Sequence, residues 1–120
     1  MPEDFPRSVR LRRRADFKEA YASGRKLHGE TVVVFVRWHT EGAAGSPRFG
    51  ITVTRRAGGA VVRNRLKRQV RDALRRFPAR AALGGADVVV NVRDSARGTP
   101  YGALRADLDR LLSRAARSAP

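Results

Sequence analysis

GGAVVRNRLKRQVRDALRRF, residues 58–77, decides the fold, because its apolar residues recur at the spacing of one helical face. With about 3.6 residues per turn, they form one stripe of a helix that we predict over residues 60–77. The stripe consists of Val62, Leu66, Val70, Ala73, Leu74 and Phe77. A helix with such a stripe is stabilised mainly by packing, so the flanking segments must supply a partner surface.

The other side of this helix is cationic. The stretch holds seven basic residues and one acid, Asp72, and Arg80 follows just beyond it. Like charges three and four residues apart on a helix repel each other. We therefore expect a negatively charged partner to offset the repulsion.

Strands and further helices flank the basic helix. Alternating apolar residues predict strands in ETVVVFVRWHT (30–40) and RFGITVTRR (48–56), and we expect these two strands to form a hairpin. A third strand is predicted in ADVVVNVRDS (86–95). RRADFKEAYASGR (13–25) and GTPYGALRADLDRLLSRAARSAP (98–120) have the periodicity of a first and a last helix.

The predicted order is therefore helix, strand, strand, helix, strand, helix. This order is typical of an α+β two-layer sandwich with one mixed sheet, in which a helix crosses over between the second and third strands. For a parallel crossover the general rule predicts a right-handed connection. We find no repeat and no linker, so we predict a single domain over residues 1–120, with residues 1–12 as a mobile arm.

Composition restricts the partners. Lys and Arg number 26 against 11 Asp and Glu, a net charge of +15, which favours nucleic acid, an anionic membrane or an acidic protein as partner. No apolar run approaches the roughly 20 residues that span a bilayer, and no apolar segment typical of a secretory signal is seen. The chain has no cysteine. We expect a cytoplasmic protein that does not bind membranes.

The sequence shows no group of residues at the spacing typical of a catalytic or metal-binding site. We find no carboxylate cluster suited to two Mg²⁺ ions, no metal-binding spacing at His28 or His39, and no phosphate-binding glycine loop. We therefore predict no catalytic residue and no metal ligand in the protein. The chain can still belong to an enzyme whose chemistry another component performs.

The pattern favours RNA over duplex DNA. Strands precede the basic helix, whereas a helix-turn-helix protein needs a second helix there. Aromatic side chains that stack on bases favour single strands, and the candidates are Phe17, Tyr21 and Phe35, each of which has a place in the core as its alternative. Phe35 shares a strand face with Arg37 and His39, so we expect it to lie in a part-exposed cleft.

Four segments resemble one known family. AVVRNRLKRQVRDALR (60–75) is similar to the signature helix of the bacterial ribonuclease P protein subunit, with Arg63-Asn64-Arg65 as its motif. LRRRADFKEAYASGR (11–25) resembles the family's first helix. RFGITVTRRAGGAV (48–61) and ADVVVNVR (86–93) resemble the strand and turn before the basic helix and the strand after it.

The resemblance implies a fold and a function. The family fold is an α/β sandwich shared with a domain of a small-subunit ribosomal protein, and it has a left-handed crossover. The holoenzyme removes the 5′ leader of precursor tRNA by Mg²⁺-dependent phosphodiester hydrolysis. The RNA subunit performs this chemistry and holds most of the Mg²⁺, while the protein tightens substrate binding and is not required to form oligomers.

The resemblance also implies two RNA-binding surfaces. The residues that would bind the catalytic RNA are Arg55, Arg56, Arg63, Arg65 and Arg68. The residues that would bind the leader, in a cleft between the first helix and the sheet, are Phe17, Tyr21, Phe35, Asn64, Lys67 and Arg71. At position 21 phenylalanine is common in the family, and the tyrosine found here keeps a ring that can stack.

Two other functions fit the charge. The first is a ribosomal or other structured-RNA-binding protein without a role in cleavage. The second is a basic nucleoid-type DNA-binding protein, which would bind duplex DNA and precursor tRNA about equally and gain nothing from a single-stranded leader. The Arg63-Asn64-Arg65 helix and the aromatic set favour the ribonuclease P function over both.

Overall fold

The computed structural model describes residues 10–11, 13–39, 47–78 and 80–118. In chain order its helices and strands are α1 (Arg14–Ser23), β1 (Arg25–His28), β2 (Val32–Trp38), β3 (Arg48–Val53), α2 (Ala60–Arg76), β4 (Ala86–Val92) and α3 (Tyr101–Arg117). Short 3₁₀ turns lie at Arg55–Ala57, Arg80–Leu83 and Asp94–Ala96. The α+β class predicted from the sequence is confirmed, with β1 as an additional strand.

The four strands form one mixed sheet in the order β1-β2-β4-β3. The β1/β2 and β2/β4 pairs are antiparallel, and the β3/β4 pair is parallel. Parallel neighbours need a crossover connection, which α2 supplies between β3 and β4. The mixed sheet and the helical crossover are as predicted, and the left hand of the crossover stays a prediction from the resemblance.

The predicted hairpin between β2 and β3 is wrong. β4 lies between these two strands, and the hairpin partner of β2 is β1, with Arg25 opposite Val36 and His28 opposite Val33. The physical reason is burial: β4 is buried on nearly all of its length and takes a central position, whereas β1 buries a single residue, Leu27, and lies at the edge. The four residues of β1 are too few to show a period.

The main core lies between one face of the sheet and the helices α2 and α3. Leu66, Val70 and Leu74 of α2 are buried against this face, and Val62 packs at its margin, as the helical period predicts. The stripe of α3 is buried in the same core, and its members include Leu104, Leu108, Leu111 and Leu112. Burial of each large aliphatic side chain contributes about 1.5–3 kcal/mol, so these helices are held by packing.

The other face of the sheet is covered in part by α1. A smaller cluster there contains Ala20, Phe35 and Val89, with Phe17 packed against it. Gly50 of β3 permits this contact, because a Cβ at that position would lie 2.5 Å from Cζ of Phe17. Because α1 has ten residues and lies over the middle strands, part of this face stays accessible beside the helix.

Gly24 ends α1 through close packing, in an extended backbone conformation. Its φ is −79°, and its amide donates to the carbonyl of Ala20 over 2.9 Å. A Cβ on Gly24 would clash with that same oxygen. Glycine is therefore required because the chain turns directly from the helix into β1.

Most of the predicted N-terminal arm lies outside the described residues. Its described part is fixed against β3, since Arg10 forms a parallel bridge with Phe49 and the amide of Leu11 donates to the carbonyl of Phe49 over 2.8 Å. The side chain of Leu11 is buried in the smaller cluster. These two residues thus add a short strand-like contact at the edge of the sheet.

A buried carboxylate joins β4 to β3 on the α1 face. Asp87 is fully buried and accepts two hydrogen bonds of 2.9 Å from the guanidinium of Arg48, which lies directly opposite it in the register. The imidazole Nε2 of His39 lies 3.0 Å from the same carboxylate. The bonds to Asp87 raise the pKa of Arg48. A buried charge is tolerated when it is paired in this way.

Candidate nucleic-acid interface

A cleft of about 470 Å³ opens between α1 and the sheet. Its lining consists of Arg14, Phe17, Lys18, Tyr21 and Thr52. Four of these side chains come from α1, where residues three and four apart share a face, and the fifth comes from β3. The cleft thus combines aromatic rings with two cationic side chains, the composition of sites that bind single-stranded nucleic acid.

The rings of Tyr21 and Phe35 lie at different depths beside the cleft. Tyr21 is 41% exposed and meets Phe35 edge to face, with the ring centroids 4.9 Å apart and an angle of 84° between the planes. Phe35, which we expected to be part-exposed, is 9% exposed and lies in the smaller core cluster. It is buried because Val89 on β4 and Ala20 on α1 belong to the same cluster. Phe35 therefore supports Tyr21, while Tyr21 presents a ring to the solvent.

A polar group behind the cleft was not predicted from the sequence. The Tyr21 hydroxyl donates to Oδ1 of Asn91 over 2.9 Å, and the Thr52 hydroxyl donates to the same oxygen. Thr52 and Asn91 are opposite each other in the parallel β3/β4 register. The sequence feature that could have predicted it is the single asparagine in the apolar run VVVNV, on the strand face that also carries Asp87.

Positive charge surrounds the cleft. Arg14 and Lys18 line it, and Nζ of Lys26 lies 5.6 Å from the centroid of the Phe35 ring. The acids of α1 point to other partners, because Asp16 lies 3.7 Å from Arg48 and Glu19 lies 3.9 Å from Arg37. Within the described ranges, neither Arg14 nor Lys18 forms an ion pair with a carboxylate. Their charge is thus available to an anionic ligand.

The second surface is the outer face of α2. Asn64, Arg65 and Arg68 are exposed, while Arg63, Lys67 and Arg71 are partly buried. In the part of the chain that the structure describes, no carboxylate pairs with any of the five cations among them. The Nε atoms of Arg63 and Arg71 are buried without a hydrogen-bond partner there. The repulsion inferred from the sequence is therefore present over the first three turns of the helix.

Asp72 neutralises the end of α2 only. It pairs with Arg75 and, over 3.0 Å, with Arg76, and it accepts a hydrogen bond from the hydroxyl of Tyr101 on α3. The Tyr101 bond, followed by the Arg76 and Arg75 contacts, lowers the pKa of Asp72. Burial and the bond to Asp72 raise the pKa of Tyr101. This network holds α2 against α3, and it leaves the earlier cations of α2 without a carboxylate partner among the described residues.

The two surfaces are formed by consecutive elements of the chain. β3 contributes Thr52 to the cleft and then enters α2 through the turn at Arg55–Ala57, in which both arginines are exposed. Gly58 completes this turn with a φ of 144°, which favours glycine. Since α2 returns the chain to the parallel strand β4, it runs opposite to β3, and its first residues follow the end of β3 closely in the chain.

The structure brings together some of the predicted leader-binding residues. Phe17 and Tyr21 line one cleft and Phe35 lies behind it. The α2 residues Asn64, Lys67 and Arg71 do not line this cleft, because α2 packs on the opposite face of the sheet.

Neither a metal centre nor a membrane span is found in the described ranges. No group of three or more His, Cys, Asp or Glu residues lies there in a geometry that could hold a metal ion. Among the same residues, no helix is both long and apolar enough to cross a bilayer.

Comparisons with known proteins cover nearly the whole chain. The sequence profile of the Ribonuclease P family matches residues 5–116. The chain is 38% identical over 109 residues to the ribonuclease P protein component of Gluconacetobacter diazotrophicus, covering 91% of this chain and 92% of that protein. The RNase P protein of Thermotoga maritima superimposes with a TM-score of 0.73 at 34% identity, over 88% of this chain and 96% of that one. The RNase P protein of Staphylococcus aureus superimposes with a TM-score of 0.77 at 26% identity, over 89% of this chain and 94% of that one.

Proposed function

The chain belongs to the ribonuclease P protein family, and we propose that it is the protein subunit of a ribonuclease P ribonucleoprotein. In this role it binds the catalytic RNA and the 5′ leader of precursor tRNA, and it assists the Mg²⁺-dependent endonucleolytic removal of that leader. The RNA performs the hydrolysis. The observation that carries the proposal is an aromatic and cationic cleft that includes Thr52 of β3, followed in the chain by a helix, α2, whose first cations pair with no carboxylate among the described residues.

The catalytic RNA binds along the start of α2 and the turn before it. The residues assigned to this contact are Arg55, Arg56, Arg63, Arg65 and Arg68, of which all but the partly buried Arg63 are exposed. Guanidinium groups pair with phosphates through two parallel hydrogen bonds. Binding of RNA releases counterions from those phosphates and relieves the repulsion between the arginines.

The leader occupies the cleft. Tyr21 and Phe17 provide ring surface for its bases, and Phe35 supports Tyr21 from below. Stacking of one base on an aromatic side chain contributes about 1–3 kcal/mol. Asn64, Lys67 and Arg71 contact the RNA where it leaves the cleft and passes along α2, so that this helix serves both RNA partners.

Magnesium enters the proposal through the RNA. Mg²⁺ prefers oxygen ligands in octahedral geometry, but Asp72 and Asp87 already pair with arginines, so these protein carboxylates do not fit a magnesium site. The protein supplies fixed positive charge beside the phosphates instead. This charge lowers the concentration of Mg²⁺ that the complex requires. The proposed location is the cytoplasm, and no protein oligomer is needed.

The test is cleavage of a precursor tRNA by a bacterial ribonuclease P RNA at low Mg²⁺, with and without the protein. A double variant, Arg65→Ala with Arg68→Ala, removes two exposed cations three residues apart on α2. Its matched control is Arg114→Ala with Arg117→Ala, which removes two exposed cations of the same spacing from α3. We expect the wild type and the control to restore cleavage and the α2 variant to fail.

Salt dependence adds a second measure of the same interface. For every phosphate that is no longer neutralised by a cation, the slope of log affinity against log salt should become shallower by about 0.7–0.9. The α2 variant should therefore show a shallower slope than the α3 control. If the wild type binds both RNAs but does not improve cleavage, a structured-RNA-binding role without cleavage replaces this proposal. Equal affinity for duplex DNA and precursor tRNA would favour the nucleoid-type function.

A further inference from the structure

Asn91 of β4 holds a position behind the cleft that the leader contacts above do not use. We propose that Asn91 is a positioning residue: through the Tyr21 hydroxyl it fixes the Tyr21 ring in the orientation that stacks on a base of the single-stranded leader. The inference rests on the proposed function, because it concerns the same leader cleft.

The carboxamide of Asn91 connects three elements of the fold. Its Oδ1 accepts hydrogen bonds from the hydroxyls of Tyr21 on α1 and Thr52 on β3. Tyr21 and Thr52 line the cleft, whereas Asn91 is not part of the lining. Asn91 therefore acts on a ligand in the cleft through these two neighbours and not by direct contact.

An exposed ring needs such an anchor. Tyr21 is 41% exposed, and a side chain at the surface loses rotamer freedom when a ligand immobilises it. Two contacts limit that freedom before binding: the edge-to-face contact with the buried Phe35, and the hydrogen bond at the far end of the ring to Asn91. A ring held at both its edge and its hydroxyl is preorganised, so less entropy is lost on stacking.

If the hydrogen bond between Tyr21 and Asn91 served only the stability of the fold, its removal would give a different result. α1 is already held on the sheet by Phe17 against Gly50 and by the buried Ala20. One hydrogen bond at an exposed side chain adds little to the stability of a folded protein. If Asn91 served the fold alone, its replacement would affect the protein equally with and without a leader.

The test uses the holoenzyme reconstituted with a bacterial ribonuclease P RNA. Its variants are Tyr21→Phe, Asn91→Leu and the double variant. Tyr21→Phe removes one exposed hydroxyl and keeps the ring, so it remains informative even if Asn91→Leu fails to fold. Tyr101→Phe is the matched control, because it removes the hydrogen-bonded hydroxyl of the other tyrosine, which lies at the α2/α3 contact.

Affinity for a precursor tRNA is compared with affinity for the same tRNA without its leader. We expect each single variant to weaken the leader-bearing complex about three- to tenfold, the range expected when one hydrogen bond is removed. Leaderless affinity should stay unchanged, and the double variant should lose no more than a single one. The KM should rise for the leader-bearing substrate while kcat at saturation is kept, since the Tyr21 ring serves binding.

A spectroscopic readout reports the ring itself. 2-Aminopurine placed in the leader loses fluorescence when it stacks, so saturated complexes of Tyr21→Phe and Asn91→Leu should show less quenching than wild type or Tyr101→Phe. Unchanged quenching and affinity, losses that add in the double variant, or equal losses without the leader would overturn the role of Asn91. A wild-type holoenzyme that gains nothing from the leader would instead overturn the proposed leader binding itself.

Discussion

Asp107 of α3 accepts hydrogen bonds from both the backbone amide and the hydroxyl of Thr31, at 2.8 and 2.7 Å. Thr31 lies between β1 and β2, so this carboxylate fastens the hairpin turn to the last helix. Arg110 donates to the other carboxylate oxygen over 2.7 Å. Gly29 in the same turn has no room for a Cβ, which would lie 2.6 Å from Asp107. We expect this contact to serve stability.

Replacement of Asp107 should destabilise the fold. Asp107→Ala leaves the buried donors of Thr31 without an acceptor, and we expect the free energy of unfolding to fall by about 2–3 kcal/mol. Urea unfolding followed by circular dichroism measures this change. A decrease below about 0.5 kcal/mol, the size of an ordinary surface substitution, would show that the contact does not stabilise the turn.

The same carboxylate should make stability depend on pH. Burial raises the pKa of Asp107, but the hydrogen bonds from Thr31, Glu30 and Arg110 outweigh it, so the pKa is lowered overall. A lowered folded pKa stabilises the protein above the unfolded value of about 3.9 and loses this effect as the pH falls toward the folded value. The difference in unfolding free energy between wild type and Asp107→Ala should thus be complete at pH 7 and shrink below about pH 4. A difference that stays constant from pH 7 to pH 2 would contradict this.

The charge of Asp109, two residues further along α3, should destabilise the fold, in contrast to that of Asp107. Burial raises its pKa, Arg105 at 3.8 Å offsets this only in part, and its Oδ1 is buried without a hydrogen-bond partner among the described residues. A raised folded pKa means that the charged form is disfavoured in the fold at neutral pH. We expect Asp109→Asn to raise the midpoint of urea unfolding at pH 7, with the gain vanishing below about pH 4. A lowered midpoint at pH 7 would argue that the Arg105 contact dominates.

Gly50 should be required for the cleft. A Cβ in Gly50→Ala would meet the Phe17 ring at 2.5 Å and push α1 from the sheet, at a cost of about 1–3 kcal/mol. Affinity for leader-bearing precursor tRNA should fall, while affinity for the catalytic RNA is kept. The control is Gly102→Ala on an exposed part of α3, where a Cβ meets no described residue within 4 Å. It should raise stability by up to about 1 kcal/mol, because alanine favours helix. Equal effects of the two variants in thermal unfolding would contradict the packing argument.

Gly58 and Gly59, which precede α2, should differ in how much a side chain at each position changes the stability of the protein. Gly58 has a φ of 144°, and a Cβ there would also lie 3.0 Å from Cβ of Val62, so Gly58→Ala should cost about 1–3 kcal/mol and displace the start of α2. Gly59 is the N-cap residue, with extended backbone, and a Cβ there would meet none of the described residues within 4 Å. Gly59→Ser should keep or slightly raise stability, since serine is a favourable N-cap. Thermal unfolding and binding of the catalytic RNA measure both variants, and a neutral Gly58→Ala would refute the requirement.

The helical parts of the fold were predictable because their signal is local. Leu66, Val70 and Leu74 repeat at the helical period, and the structure buries all three. The strand order was not predictable in the same way. β2 alternates well enough to be recognised, but its pairing with β4, which begins beyond both β3 and α2 in the chain, depends on burial of both strands in one core. Pairing over such a distance leaves no periodic signal in either segment.

The features of the candidate site likewise fall into those that a local sequence pattern predicts and those that it does not. The sequence by itself determined that α2 has an apolar and a cationic side, since both follow from about 3.6 residues per turn, and it identified Phe17 and Tyr21 as ring candidates on one face of α1. Only the tertiary structure decided that Tyr21 is exposed while Phe35 is buried beneath it, and that Asn91 meets the Tyr21 hydroxyl. Residues 70 positions apart come together because α1 docks on the sheet, and docking depends on shape and burial over the whole chain, which no local pattern records.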